Sequence, residues 1–497
     1  RLRFSGPKTS IICSPMTSLK TSIKTITYLS DIGCLEIQGA SLKHSWPQVI
    51  KWLLIILVIY AVCSVFISNP FSIFVDRVTP VDYSRIMYFH GLSVGLAGLT
   101  ALLVSQIYGL DGKFKKIIFY CTIATILIGV SGGAINRSME YSKLALWYQI
   151  LSFLSLDVIL ITMLSGLILS KNKELKSSRT YYLVIAASCT AVIAALIGDL
   201  AGFILDFGDW LGILGWYAGK IGYTLPEWQD NLLRSHSDMM VVAVIGLILS
   251  VVTWRYGRYL SGNTAKIKAT GEWLVIFGLV AVVIILVVSG FGGSHLQIPH
   301  IFTEKGFFEP RGHSVAGIDL GDFTIGIFIL CGGLLLIGAI LFGKGKNGVK
   351  LNKSSKYTLM GIFLTWCSIV ITVAGMGFLE EYRADLYNSA NPVPLGEYGF
   401  AFRMLHLDVS LILFPAIMVV MLFAQHLLKD EQTKFIQWVL RTGVLLCSIG
   451  SLIYMILNPQ TFGPGYWVVG SGFIFVVMGM CYFFVKSDNH IKERFNQ

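Results

Sequence analysis

About twelve apolar runs, each near the length of a membrane crossing, constrain this chain more than any other feature. A helix needs about 20 apolar residues to cross a bilayer. Runs of that kind lie at 50–69, 85–109, 116–134, 144–170, 180–205, 232–254, 271–290, 323–343, 357–379, 402–428, 434–457 and 466–485. In lipid a backbone must satisfy its own hydrogen bonds, so such runs fold as helices. The chain has 497 residues, of which 55% are hydrophobic and only 13% charged, with a mean hydropathy of +0.70. A soluble protein of this size is about 25% charged. The expectation is an all-α membrane protein of about twelve transmembrane helices. Residues 50–485 form the transmembrane domain, 1–49 a basic cytoplasmic N-terminal arm, and 486–497 a short cytoplasmic tail.

The loops orient the helices. Lys113, Lys115 and Lys116 follow the second run, and Lys171, Lys173, Lys176 and Arg179 the fourth. Arg255, Arg258, Lys266 and Lys268 follow the sixth. Lys344, Lys346, Lys350, Lys353 and Lys356 follow the eighth, and Lys429 and Lys434 the tenth. Every even-numbered loop is basic, and the positive-inside rule then places both termini in the cytoplasm. The net charge of +11 is spread through these loops, so it does not point to nucleic acid. None of the nine cysteines forms a CxxC pair, which leaves zinc ribbons, thioredoxin chemistry and covalent c-type haem without support. Residues 1–45 are rich in Ser, Thr and Lys, with no acid before Asp31. They read either as a transit-like segment or as an extension ahead of a start at Met16.

The odd-numbered loops hold the non-helical material. Residues 206–231 read as a short interfacial helix with an aromatic belt, and 380–401 as a polar cap. Nine histidines occur, and six of them, His90, His236, His295, His300, His313 and His406, fall on the outer side. Three open apolar helices alike, in SRIMYFHGLSVG, LLRSHSDMMVV and FRMLHLDVSLIL. Each follows an arginine by two to five residues, and two read His-x-Asp. They belong to runs two, six and ten, one histidine per four helices. A single such histidine reads as an interfacial side chain bonded to a loop carbonyl. Three in register point to a cofactor, because neutral imidazole ligates haem iron and copper well.

Twelve helices in three arcs of four, with histidines on helices two, six and ten, resemble the large subunit of the haem-copper oxidase and nitric oxide reductase superfamily. The likeness covers about residues 50–485, as architecture. It implies a haem, of b type, bound by His90 and His406, with Arg85, Arg403 and Arg383 as partners of its propionates. It implies a second metal, non-haem iron or copper, held by His236, His295 and His300, with Glu304, Glu309 and His313 in the same loop. A high-spin haem on His406 alone is the other arrangement. The chain departs from the family at several points. Four residues separate His295 from His300, the helix-six His-Pro-Glu-Val-Tyr motif is absent, and helix ten carries one histidine with Asp408 beside it.

Carboxylates within membrane spans relay protons or sit neutral and hydrogen-bonded. Asp157, in SFLSLDVILI, is the relay candidate, with Asp238 and Asp408 near the histidines. Asp199, in LIGDLAGF, reads as a cap near the outer end. Three functions follow. The first is a haem-bearing redox protein moving electrons at the outer face, reducing a small gas such as O2 or NO. Its electrons come from quinol or from a partner subunit carrying a c-type haem or copper. The second is a proton- or ion-coupled transporter using Asp157, Asp238 and Asp408. The third is a non-catalytic subunit of a respiratory complex. Each resides in a cell or energy-transducing membrane.

Overall fold

The computed structural model describes residues 49–57, 83–138, 143–209, 212–292, 297–299, 317–319, 321, 324–343, 351–382, 409–410, 413–456 and 464–495. Residues 1–45 separate as one unit and lie outside the described residues, and 46–497 form the other.

The described residues of the second unit are helical almost throughout. Helix α1 is described over 49–57. There follow α2 (Tyr83–Ile107), α3 (Gly112–Ser138), α4 (Lys143–Ile168), α5 (Arg179–Phe207), α6 (Leu225–Tyr256) and α7 (Gly262–Gly292). A π-helical segment, Ile325–Leu330, runs into Cys331–Phe342, and the two together make α8. The series ends with α9 (Lys353–Tyr382), α10 (Phe414–Leu427), α11 (Asp430–Ile456) and α12 (Pro464–Phe495). Among the described residues nine helices, α3 to α9 with α11 and α12, are long and apolar enough to cross a membrane. Shorter apolar stretches lie in α2 (Gly91–Ile107) and α10 (Phe414–Gln425). The chain is a multi-pass helical membrane protein. One small departure from an all-α chain is an antiparallel pair, β1 (Gln297–Pro299) and β2 (Gly317–Asp319), with Ile298 opposite Ile318.

The outer surface of the bundle is apolar. On α4, Trp147, Leu151, Leu154, Val158 and Ile161 are all exposed, and their spacing of three or four residues sets them on one ridge of the helix. Facing water, such a ridge would lose the hydrophobic driving force for folding; facing lipid, it costs nothing.

Helix α6 is the axis of the packing. It touches α2, α5, α7, α8 and α10, and 83% of its apolar window is buried against 33% for α3. Helices α2, α6 and α10 also touch one another in all three pairings. Without a hydrophobic drive between helices, close backbone approach and interhelical hydrogen bonds hold such a bundle. Both occur. Glycines let α11 and α12 meet at backbone distance, since a Cβ on Gly472 would lie 2.7 Å from the Cys447 nitrogen. Trp366 of α9 donates its indole N–H to the Leu330 carbonyl at 3.0 Å, where the π-helical segment ends.

Interhelical bonds also mark the two ends of the bundle. At one end Trp228 donates to Gly290 O at 2.8 Å and Tyr217 donates to Phe291 O at 2.7 Å. At the other, Arg258 pairs with Glu174 at 3.1 Å, so the basic loops after α4 and α6 share one face.

Candidate functional site

Helix α6 starts earlier than its apolar run. Thr224 caps it: the Thr224 side chain accepts from the Glu227 N–H, and the Glu227 carboxylate accepts from the Thr224 N–H at 2.8 Å. Pro226 occupies the first turn, where its missing N–H costs nothing. His236 therefore sits three turns inside α6 and does not open it.

The His236 ring turns toward α5. Its Nδ1 lies 2.7 Å from the Ala194 carbonyl. A carbonyl can only accept, so Nδ1 carries a proton and donates it, and a neutral ring then presents its lone pair at Nε2. The ring fits because residue 198 is glycine. A Cβ there would lie 2.9 Å from the imidazole Cγ and closer still to Nδ1. One turn down from Ala194, Asp199 lies within electrostatic reach of His236. Asp199 in turn lies beside Asp157 of α4, close enough for the two carboxyls to interact. Two ionised carboxylates so placed repel, so the pair favours a proton on one of them.

The site therefore links α4, α5 and α6 through Asp157, Asp199 and His236. It sets two neighbouring carboxyls beside an imidazole whose Nδ1 carries a proton. Each of the three side chains is only part-buried. Asp157 and His236 were legible in the sequence as candidates. Asp199 reads there as a cap near the outer end, and the structure sets it beside Asp157. The signal that could have found it is small: Gly198 and Asp199 adjoin in an otherwise apolar helix.

Asp238 follows His236 on a regular helix, about 200° around the axis, so the two do not share a face. Among the described residues no group of three or more His, Cys, Asp or Glu could hold a metal ion. Of the expected second-metal ligands only His236 is described. A histidine whose Nδ1–H is anchored on a carbonyl is the usual posture of a metal ligand as well as of a proton carrier. His295 and His300, with Glu304, Glu309 and His313, lie outside the described residues, as do Arg383, Arg403, His406 and Asp408. The backbone at Arg85 and His90 belongs to α2, but their side chains lie outside the described residues.

A small apolar cleft opens between α1, α2, α10 and α12, lined by residues such as Leu57, Leu96, Leu99, Ile417, Phe473 and Met480. No polar group marks it for a particular ligand.

No family model matches the chain, and no solved structure matches it. A stretch of 45 residues is 96% identical to the uncharacterized protein YuaK of Escherichia coli (strain K12), 9% of this chain and 48% of that protein. The chain thus spans about half the length of the curated relative it matches, and the likeness carries no function.

Proposed function

We propose that this chain moves protons through its helical bundle by way of Asp157, Asp199 and His236. The observation that supports it is the pair of neighbouring carboxyls beside an anchored imidazole, set on three different helices. Intramembrane ionisable groups are costly, and where they pair with one another they commonly mark proton paths. A small relative shift of α4, α5 or α6 would part or bring together the two carboxyls, so the site can couple proton affinity to helix movement. The reading takes the bundle as twelve crossings: the nine long helices, α2, α10 and the run at 50–69. Both termini then lie on the cytoplasmic side with the basic loops.

The test is proton flux in vesicles reconstituted with the full chain. A pH-sensitive dye is sealed inside and a potassium diffusion potential is imposed. Wild-type protein should pass protons, and Asp157→Asn and Asp199→Asn should stop it while folding normally. Flux that survives both substitutions would end the proposal.

A second reading keeps the haem. The mutual packing of α2, α6 and α10 favours it, because these helices carry or follow His90, His236 and His406. In it His90 and His406 hold a b-type haem with Arg85, Arg403 and Arg383 about its propionates. His236, His295 and His300 hold a non-haem iron or copper. The chain then moves electrons from quinol or a partner subunit and reduces a small gas, with Asp157 delivering protons. A visible spectrum of the purified protein, oxidised and then reduced with dithionite, tests it. A b-type band lost in His90→Ala and His406→Ala supports it, and a featureless spectrum rejects it.

A further inference from the structure

The relay leaves one buried acid unused. Glu272 of α7 is fully buried. Thr180, at the start of α5, donates its hydroxyl to Glu272 Oε1 at 2.7 Å. Lys268, one turn earlier on α7, approaches the same oxygen at 3.1 Å. The other oxygen, Oε2, is sealed from solvent and has no hydrogen-bond partner. Burying an ionised carboxylate with one oxygen unsatisfied is costly, and each such group calls for an explanation.

Its position supplies one. Thr180 and Asp199 lie on the same helix, 19 residues apart, which is about 28 Å at 1.5 Å per residue. That is close to the full hydrocarbon thickness of a bilayer, about 30 Å. Glu272 therefore stands at the face of the basic loops, and the Asp157–Asp199–His236 site stands far across the membrane from it. Lys268 keeps part of its surface in solvent, with a side-chain exposure of 16% against 0% for Glu272. Tyr108, just beyond α2, lies within electrostatic reach of Glu272, and Arg258, paired with Glu174, lies within reach of Tyr108.

We propose that Glu272 is the proton-loading site at the face of the basic loops, feeding the path that ends at Asp157, Asp199 and His236. The inference rests on the proton-transfer reading. When the Lys268 head swings outward, a proton from water reaches Oε2 and turns the carboxylate into a neutral acid. The Lys268 ammonium keeps all its protons but loses its counter-ion, and its part-exposed head turns to water. When Oε2 gives up the proton to the next acceptor along the path, the ion pair reforms and closes the site. Two arrangements of one ion pair thus make a gate.

Dicyclohexylcarbodiimide tests this on the full chain in membranes. It dissolves in lipid and adds to protonated carboxyl groups, and the site of addition is read by mass spectrometry of peptides. Glu272 should be labelled. Lys268→Met removes the counter-ion and should raise labelling. Glu272→Gln should cut proton flux in vesicles as severely as Asp157→Asn. A Glu272 that stays unlabelled across the pH range, or a Glu272→Gln protein with wild-type flux, would make the ion pair a static brace and overturn the inference. Either result leaves the relay itself standing. Wild-type vesicles that pass no protons would instead sink the relay reading, even with Glu272 labelled.

Discussion

Two of the polar joints that hold α6 to its neighbours differ in kind. Toward the start of α6, His236 meets Asp199 and Asp157, joining α4, α5 and α6. At the far end, Tyr256 donates its hydroxyl to the Gln425 carbonyl oxygen, and the Gln425 amide donates to Ser355 Oγ at 2.6 Å. That joint ties α6 to α10 and α9. Both are interhelical and both span three helices. The second is built from one phenol, one amide and one hydroxyl, each using its fixed role as donor or acceptor. The first is built from two carboxyls and an imidazole, whose roles change when a proton moves. A bundle that needed only fastening could use amides and hydroxyls throughout. Acids in lipid cost more than that, so the first joint has a use beyond fastening.

Exchanging the two joints' properties tests the contrast. The largest effect should come from Asp157→Asn or Asp199→Asn. An amide keeps the bond as donor but cannot pass a proton, so flux should fall about a hundredfold or more. Thermal stability, followed by tryptophan fluorescence in detergent, should hardly move. Gly198→Ala comes next. The added methyl overlaps the His236 ring, so the protein should lose about 1 to 3 kcal/mol by overpacking and lose flux as well. Gln425→Leu should give the reverse pattern. It removes the acceptor of the Tyr256 hydroxyl and the donor to Ser355, and should cost about 1 to 3 kcal/mol, with flux per folded molecule intact. If Gln425→Leu abolished flux while Asp157→Asn did not, the roles assigned to the two joints would have to be exchanged.

The smallest effect lies at the turn beyond the second joint. Tyr259 donates to Ile340 O at 2.7 Å, and burial pushes its hydroxyl up to about 12. An unfolded tyrosine titrates near 10. The folded state therefore holds this proton where the unfolded chain releases it. The stability involved is fully present below about pH 10 and is lost as pH rises through about 12. Melting curves at about pH 9 and about pH 11 should separate slightly, and Tyr259→Phe should narrow the separation. An unchanged separation would mean that other groups set the alkaline limit.

Much of the helix order was legible, because spans of twenty apolar residues between basic loops leave few alternatives. The positions of helix ends were less so. The hydropathy of α6 begins near residue 232, but its backbone begins at Leu225, because Thr224 and Glu227 supply the hydrogen bonds that a first turn lacks. The same cause hid Glu272. It opens the apolar run at 271–290 and looks like an interfacial acid, yet α7 starts at Gly262 and carries it inside. Asp199 was hidden differently. Its partner lies on another helix 42 positions earlier, and pairings between helices leave no periodic trace. His90 and His406 were conspicuous in the sequence, but their side chains lie outside the described residues, so the haem reading rests on helix packing alone.

The capping box of α6 has one more consequence. Thirty-two residues make a rod of about 48 Å, while the hydrocarbon layer is about 30 Å thick. Helix α7, at 31 residues, is nearly as long, and Trp228, near the start of α6, fastens it to the end of α7. A modest tilt absorbs only part of the excess. The pair must stand several turns proud of the lipid as a stiff post, so a force applied to its tip would be transmitted down α6 to His236 with little bending.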